Sequence, residues 1–130
     1  MERAEITYLD THVLVRLYLG ETRGIGPTAL HAIENGELLV SPAAILELEL
    51  LHEIGRLRQP ALKVVAALKE DLELRICDLP FWATAERALG EGWVRDPFDR
   101  LIVANAKARN APLVTKDEQI LRHYSRAIWE

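Results

Sequence analysis

The chain has 130 residues, 49% hydrophobic and 28% charged, with a net charge of −4 and one cysteine. That length suits a single domain, 1–130, which can bury a core without disulfides or structural metal, and no apolar run approaches the length of a bilayer crossing. The negative balance excludes a protein that coats nucleic acid by bulk electrostatics, yet it leaves room for an enzyme acting on RNA or DNA, because carboxylate-held divalent ions can supply local positive charge.

The first residues, Met1-Glu2-Arg3-Ala4-Glu5, mix both signs of charge and lack the shape of a secretory signal, so a cytoplasmic location is expected. Ile6-Thr7-Tyr8-Leu9 reads as a short buried strand with Asp10-Thr11 at its carboxyl end. A helix over 12–19 follows and stops at Gly20. Pro27 opens a second helix that Asn35-Gly36 closes, and Glu37-Leu38-Leu39-Val40 is a second strand. Ser41-Pro42 caps a long helix reaching about Leu57. On its wheel Glu49, His52, Glu53 and Arg56 share a polar side, whereas Glu47 falls among Ala43, Ala44, Leu50, Leu51 and Ile54, out of place for a solvated charge.

Pro60 begins a helix to about Asp71, Leu74–Cys77 is a third strand, and Pro80-Phe81 starts a helix ended by Gly90 and Gly92. Cys77 reads as a small buried hydrophobe, and Trp82 and Trp93 as packing residues, since neither tryptophan accompanies a basic or aromatic cluster. Asp96-Pro97-Phe98-Asp99-Arg100 then opens a helix to about Arg109, with Asn110 a left-handed stop. Positions 99, 102, 103 and 106 share one face, so Asp99 heads a stripe of Ile102, Val103 and Ala106. An ionised carboxylate at the edge of a core calls for a compensating cation, a cluster of donors or a shifted pKa. A fourth strand, 111–115, ends at Lys116-Asp117; a helix over 118–123 and a strand over 127–129 finish the chain.

Strands alternating with helices predict an α/β fold with a central, mainly parallel sheet covered on both sides, whose reactive cleft lies beyond the carboxyl ends of the strands. Asp10 and Asp117 both sit at such ends and form a set with Glu47 and Asp99. Converging carboxylates repel unless a cation lies between them, and oxygen-only ligation selects Mg²⁺ or Mn²⁺. The four histidines are scattered and read as surface or packing residues. Hydrolysis of a nucleic-acid backbone is the natural chemistry of such a site.

Tyr8-Leu9-Asp10-Thr11-His12, Ile45-Leu46-Glu47-Leu48, Asp96 through Ala104, and Leu113-Val114-Thr115-Lys116-Asp117 resemble, in order and spacing, the motifs of PIN-domain proteins. Within that superfamily the chain looks most like the VapC-type ribonuclease toxins of toxin–antitoxin pairs. The resemblance implies a three-layer α/β/α fold and a Mg²⁺- or Mn²⁺-dependent endoribonuclease, often a homodimer, inhibited by a small antitoxin whose tail blocks the acidic pocket. By motif, Asp10, Glu47, Asp99 and Asp117 match the family's acidic quartet, with Asp96 a further acid near the metals and Thr11 and Thr115 supporting hydroxyls. Whether Asp96 or Asp99 ligates directly stays open, though the helical-face argument favours Asp99. Arg100 has two readings, a phosphate contact or a surface ion pair. Two other functional classes compete: a receiver-like Mg²⁺-binding signalling domain with Asp78 as phosphoacceptor, which leaves Glu47 and Asp99 unexplained, and a PIN-like RNA-binding module that does not cleave.

Overall fold

The computed structural model describes residues 4–130, so Met1–Arg3 of the N-terminal stretch lie outside the described residues. The elements run β1 (Ile6–Leu9), α1 (Thr11–Tyr18), α2 (Pro27–Asn35), β2 (Glu37–Val40), α3 (Pro42–Glu53), α4 (Ala61–Leu72), β3 (Arg75–Ile76), α5 (Phe81–Ala88), α6 (Pro97–Ala108), β4 (Leu113–Val114), α7 (Glu118–His123) and β5 (Ala127–Ile128). The five strands form one sheet in the order β3-β2-β1-β4-β5, and every pairing is parallel. The sheet expected to be mainly parallel is therefore wholly so.

This order decides where a site can form. From β1 the chain moves outward through β2 to β3, then crosses back to β4 and on to β5. The direction reverses between β1 and β4, and right-handed crossovers place the connections of the two halves on opposite faces of the sheet. The crevice beyond the carboxyl ends of β1 and β4 is the switch point at which such folds bind ligands. Both strands are apolar on both faces: Tyr8, Leu9, Leu113 and Val114 are fully buried.

Three strands are shorter than their apolar runs suggested. Predicted strands 74–77, 111–115 and 127–129 keep two ladder residues each. Residues flanking them still bond across the sheet, Cys77 N to Val40 O at 2.8 Å and Thr115 N to Ile128 O at 3.1 Å, while the Ala111 carbonyl oxygen accepts the Tyr124 hydroxyl at 2.5 Å. The helix α3 also stops at Glu53, short of Leu57, because Gly55 takes a left-handed φ of +81° and the Arg56 amide turns back to Leu51 O at 2.8 Å. Leu57 still reaches the core from the turn. Asn110 adopts the left-handed stop expected of it, at φ 48°.

Two packing expectations fail. Trp82 is 72% exposed, with Phe81 and Leu89 beside it, because α5 buries only Thr84 and Ala88 against α6. Leu50 and Ile54 are likewise exposed, since α3 buries Ala44 and Leu48 instead. The side that carries Glu47 is thus only partly core: Ala44 is buried and Leu51 packs on the core, whereas Leu50 and Ile54 face outward. Trp93, in contrast, packs on the core, and Cys77 is buried as expected.

Candidate metal centre

Asp10 follows β1 directly and caps α1, accepting the Thr11 amide on Oδ1 at 2.8 Å. Its other oxygen, Oδ2, accepts the Thr115 hydroxyl at 2.6 Å from the end of β4. Two strands that the sheet places side by side thereby fix one carboxylate. The Thr11 hydroxyl donates to Glu47 Oε1 at 2.5 Å, tying the middle of α3 to the start of α1. Asp99, in the first turn of α6, completes the group: Asp10, Glu47 and Asp99 each present a carboxylate oxygen, all within 4.8 Å of one another. Ile102, Val103 and Ala106 on the same helical face are fully buried, so the stripe headed by Asp99 is a core stripe as read.

Burial is the first cause of the electrostatic stress here, and mutual repulsion adds to it. Burial pushes the pKa of Asp10 up, although the hydrogen bonds from Thr115 and the Thr11 amide draw it back. Glu47 is raised by burial too, with Thr11 opposing. Asp99 receives no such donor among the described residues. Burial, then the charges of Asp10, Asp96, Glu47 and Asp117, push its pKa up to about 7. Among the described residues none of the three forms an ion pair. Three oxygen donors that repel one another, with no cationic side chain between them, fit a hard divalent ion.

Asp96 and Asp117 stand at the rim with a different structural duty. Asp96 Oδ1 caps α6, accepting the amides of Phe98 at 2.8 Å and Asp99 at 3.1 Å. Asp117 Oδ1 caps α7 through Ile120 N at 3.0 Å, and its own amide donates to the Thr115 hydroxyl oxygen. Each keeps its second oxygen out of the cap, and each is close enough to raise Asp99. Of the seven residues singled out from the sequence, three carboxylates converge, two threonines orient two of them, and two aspartates cap helices at the edge.

His12, read as a surface residue, is exposed and lies where its charge lowers the pKa of both Asp10 and Glu47. Only its place next to Asp10 and Thr11 could have signalled this. Arg100 forms no surface ion pair among the described residues; its Nε donates to Val94 O at 2.6 Å and pins the loop entering α6. The same loop hides Glu91, 6% exposed, which accepts from Trp93 Nε1 and pairs with Lys107 at 2.8 Å. That buried hub lay beyond sequence reasoning, because no periodicity marks a glutamate in a loop.

The PIN domain family model matches residues 7–126. No curated protein sequence matches the chain. Among solved structures, it is similar to VapBC2 from Rickettsia felis bound to a DNA fragment from its promoter, at TM-score 0.66 and 20% identity over 96% of this chain and 97% of that one. VapBC-1 from nontypeable Haemophilus influenzae gives TM-score 0.62 and 18% identity over 96% of each chain. DNA-bound VapBC from Salmonella typhimurium gives 0.61 and 20% over 95% and 92%.

Proposed function

The chain belongs to the PIN-domain family, and from that premise we propose that it is a Mg²⁺- or Mn²⁺-dependent endoribonuclease, the toxin of a VapBC-type toxin–antitoxin pair. The observation that carries the reading is the convergence of Asp10, Glu47 and Asp99 within 4.8 Å at the switch point of a parallel sheet. Asp10, Glu47 and Asp99 would hold the metal directly, with Asp96 and Asp117 offering their uncapped oxygens from the rim. The bound ion would stabilise charge on a phosphodiester oxygen and lower the pKa of an attacking water.

The protein's own contribution is orientation. Thr115 and Thr11 hold Asp10 and Glu47 with their oxygens turned into the crevice, so little reordering accompanies metal binding. Asp99 lies in the first turn of α6, where the helix's partial positive charge favours its ionised form. Supporting hydroxyls of this kind are worth about 10- to 100-fold in metal affinity.

A receiver-like domain is the weaker reading. It needs Asp78 in the acidic pocket, but β3 is an edge strand and Asp78 is exposed and paired with Arg109 at 3.0 Å. The proposed partners are RNA, a small antitoxin and a second copy of the chain, in the cytoplasm. An exposed apolar face on α5, with Phe81 at 71%, Trp82 at 72% and Leu89 at 74% exposure, supports a protein partner. No described helix is long and apolar enough to cross a membrane.

The test is cleavage of a mixed pool of structured RNAs with Mg²⁺, with Mn²⁺ and with EDTA, beside the Asp99→Asn variant. Metal-dependent cutting that the variant loses by about 100-fold or more is expected. A folded, antitoxin-free protein that binds RNA without cutting it under any of these conditions would instead be the non-cleaving module. Sedimentation of the wild type at twice the chain mass, and of Trp82→Glu at the single mass, is the expected result for the homodimer.

A further inference from the structure

A second cluster lies beside the carboxylates, and its charge is opposite. Ile128 pairs with Val114 in register, and the Thr115 amide donates to Ile128 O at 3.1 Å, so Trp129 stands next to Thr115, the residue whose hydroxyl holds Asp10. Trp129 is fixed there: its carbonyl oxygen accepts the Gly26 amide at 2.9 Å. A Cβ on Gly26 would meet the backbone of Glu130 at 2.3 Å, so only glycine permits this approach. Over the Trp129 ring lie two cations, the Arg16 guanidinium at 5.4 Å and Lys116 Nζ at 6.0 Å from the ring centroid.

Among the described residues neither cation is within ion-pair distance of a carboxylate, although the chain carries 20 acids against 16 lysines and arginines. This matters for what Lys116 can do. A carboxylate partner would position the ammonium and cancel its charge, whereas an aromatic face positions it and leaves the charge available. Arg16 is itself secured by its Nη2 on Arg23 O and adds to the local potential. Lys116 is the exposed member, one residue from both Thr115 and Asp117 at the rim.

We propose that Lys116, held over Trp129 beside Arg16, contacts a backbone phosphate of the single-stranded nucleic acid next to the bond to be cut. The inference rests on the nuclease reading and deepens it. A substrate strand crossing the carboxylates carries a phosphate at every nucleotide, and those flanking the metals meet a negative pocket unless a cation is placed beside it. Lys116 is that cation on the β4–β5 side. Phosphate contact positions the strand without reading its sequence or its 2′-hydroxyls.

The experiment measures binding of a fluorescein-labelled 12-nucleotide RNA strand by anisotropy, in Mg²⁺ and at 50 to 200 mM KCl. The protein carries Asp99→Asn to prevent cutting, alone or with Lys116→Gln or Lys116→Arg. Lys69→Gln, an exposed position on α4, serves as control. Losing one phosphate contact lowers the slope of log affinity against log salt by roughly 0.7, which is about eightfold at 50 mM. Lys116→Gln is expected to show that loss, Lys116→Arg to restore most of it, and Lys69→Gln to show none. A DNA strand of the same sequence should respond alike, because the contact is to phosphate. An unchanged slope in Lys116→Gln, or a loss confined to RNA, would overturn the proposal while the cleavage test still upheld the nuclease. Failure of the wild type to cut and of the Asp99→Asn protein to bind either strand would overturn both.

Discussion

Asp99 differs from its neighbours because no described residue donates to its carboxylate. Its pKa of about 7 lies above the usual carboxylate value, so the native state holds this proton over a range where the unfolded chain has released it. A raised pKa makes a contribution that is fully present below about pH 4 and lost as pH rises through 7. The metal-free protein is therefore expected to become less stable between pH 5 and pH 8. In Asp99→Asn the decline should flatten, with a gain of about 1–2 kcal/mol at pH 8 after allowance for solvent screening. Urea melts of the two proteins at both pH values check this; parallel pH profiles would show that Asp99 is not the stressed group. Asp10→Asn should not share the benefit, because Asp10 accepts both the Thr11 amide and the Thr115 hydroxyl and caps α1. Thr115→Val removes a buried donor to Asp10 and the acceptor of the Asp117 amide at once, and should cost about 1–3 kcal/mol. The same melts, run without metal, measure it.

At the scale of elements, the acids depend on where helices begin. Asp10, Asp96 and Asp117 each occupy the N-cap of a helix, and the caps of α1 and α6 also aim those helices at the crevice. Asp96→Ala should lose about 1 kcal/mol of stability through its two amides. Asp96→Ser keeps a cap, so a Ser variant that regains stability but not cleavage would separate the capping role from a place at the metal. This double duty explains what was legible in the sequence. Cap-and-proline signals mark where α3 and α6 begin, though not the early end of α3, and the stripe below Asp99 marks it as misplaced for solvent. Glu47 stands on a helix side that is only partly core. Its face is apolar, but Leu50 and Ile54 on it face outward, since a helix wheel ranks sides without saying which neighbour covers them. For the same reason the sequence around Trp82 suggests packing, although α5 turns Thr84 and Ala88 inward. Glu91, Lys116 and Trp129 carry no periodic signal; register and loop closure bring them to their partners.

Across the whole molecule, the site joins parts that are far apart in the chain. The Thr115–Asp10 hydrogen bond spans 105 residues and the Thr11–Glu47 bond 36, and both exist only once β1 lies between β2 and β4. One cluster of buried residues runs from Tyr8 to Tyr124 and takes members from both halves of the sheet. No half can therefore bury its apolar face alone, and the cluster of Asp10, Glu47 and Asp99 cannot persist in a partly unfolded chain. We expect a single calorimetric transition, as for one domain, that Mg²⁺ moves upward as a whole. Protons compete for the same oxygens, so the shift should be larger at pH 8 than at pH 5.5, where Asp99 holds its proton. Two separate transitions, only one of them responsive to Mg²⁺, would show instead that the chain folds in independent parts. A Mg²⁺ shift equal at both pH values would place the ion away from Asp99.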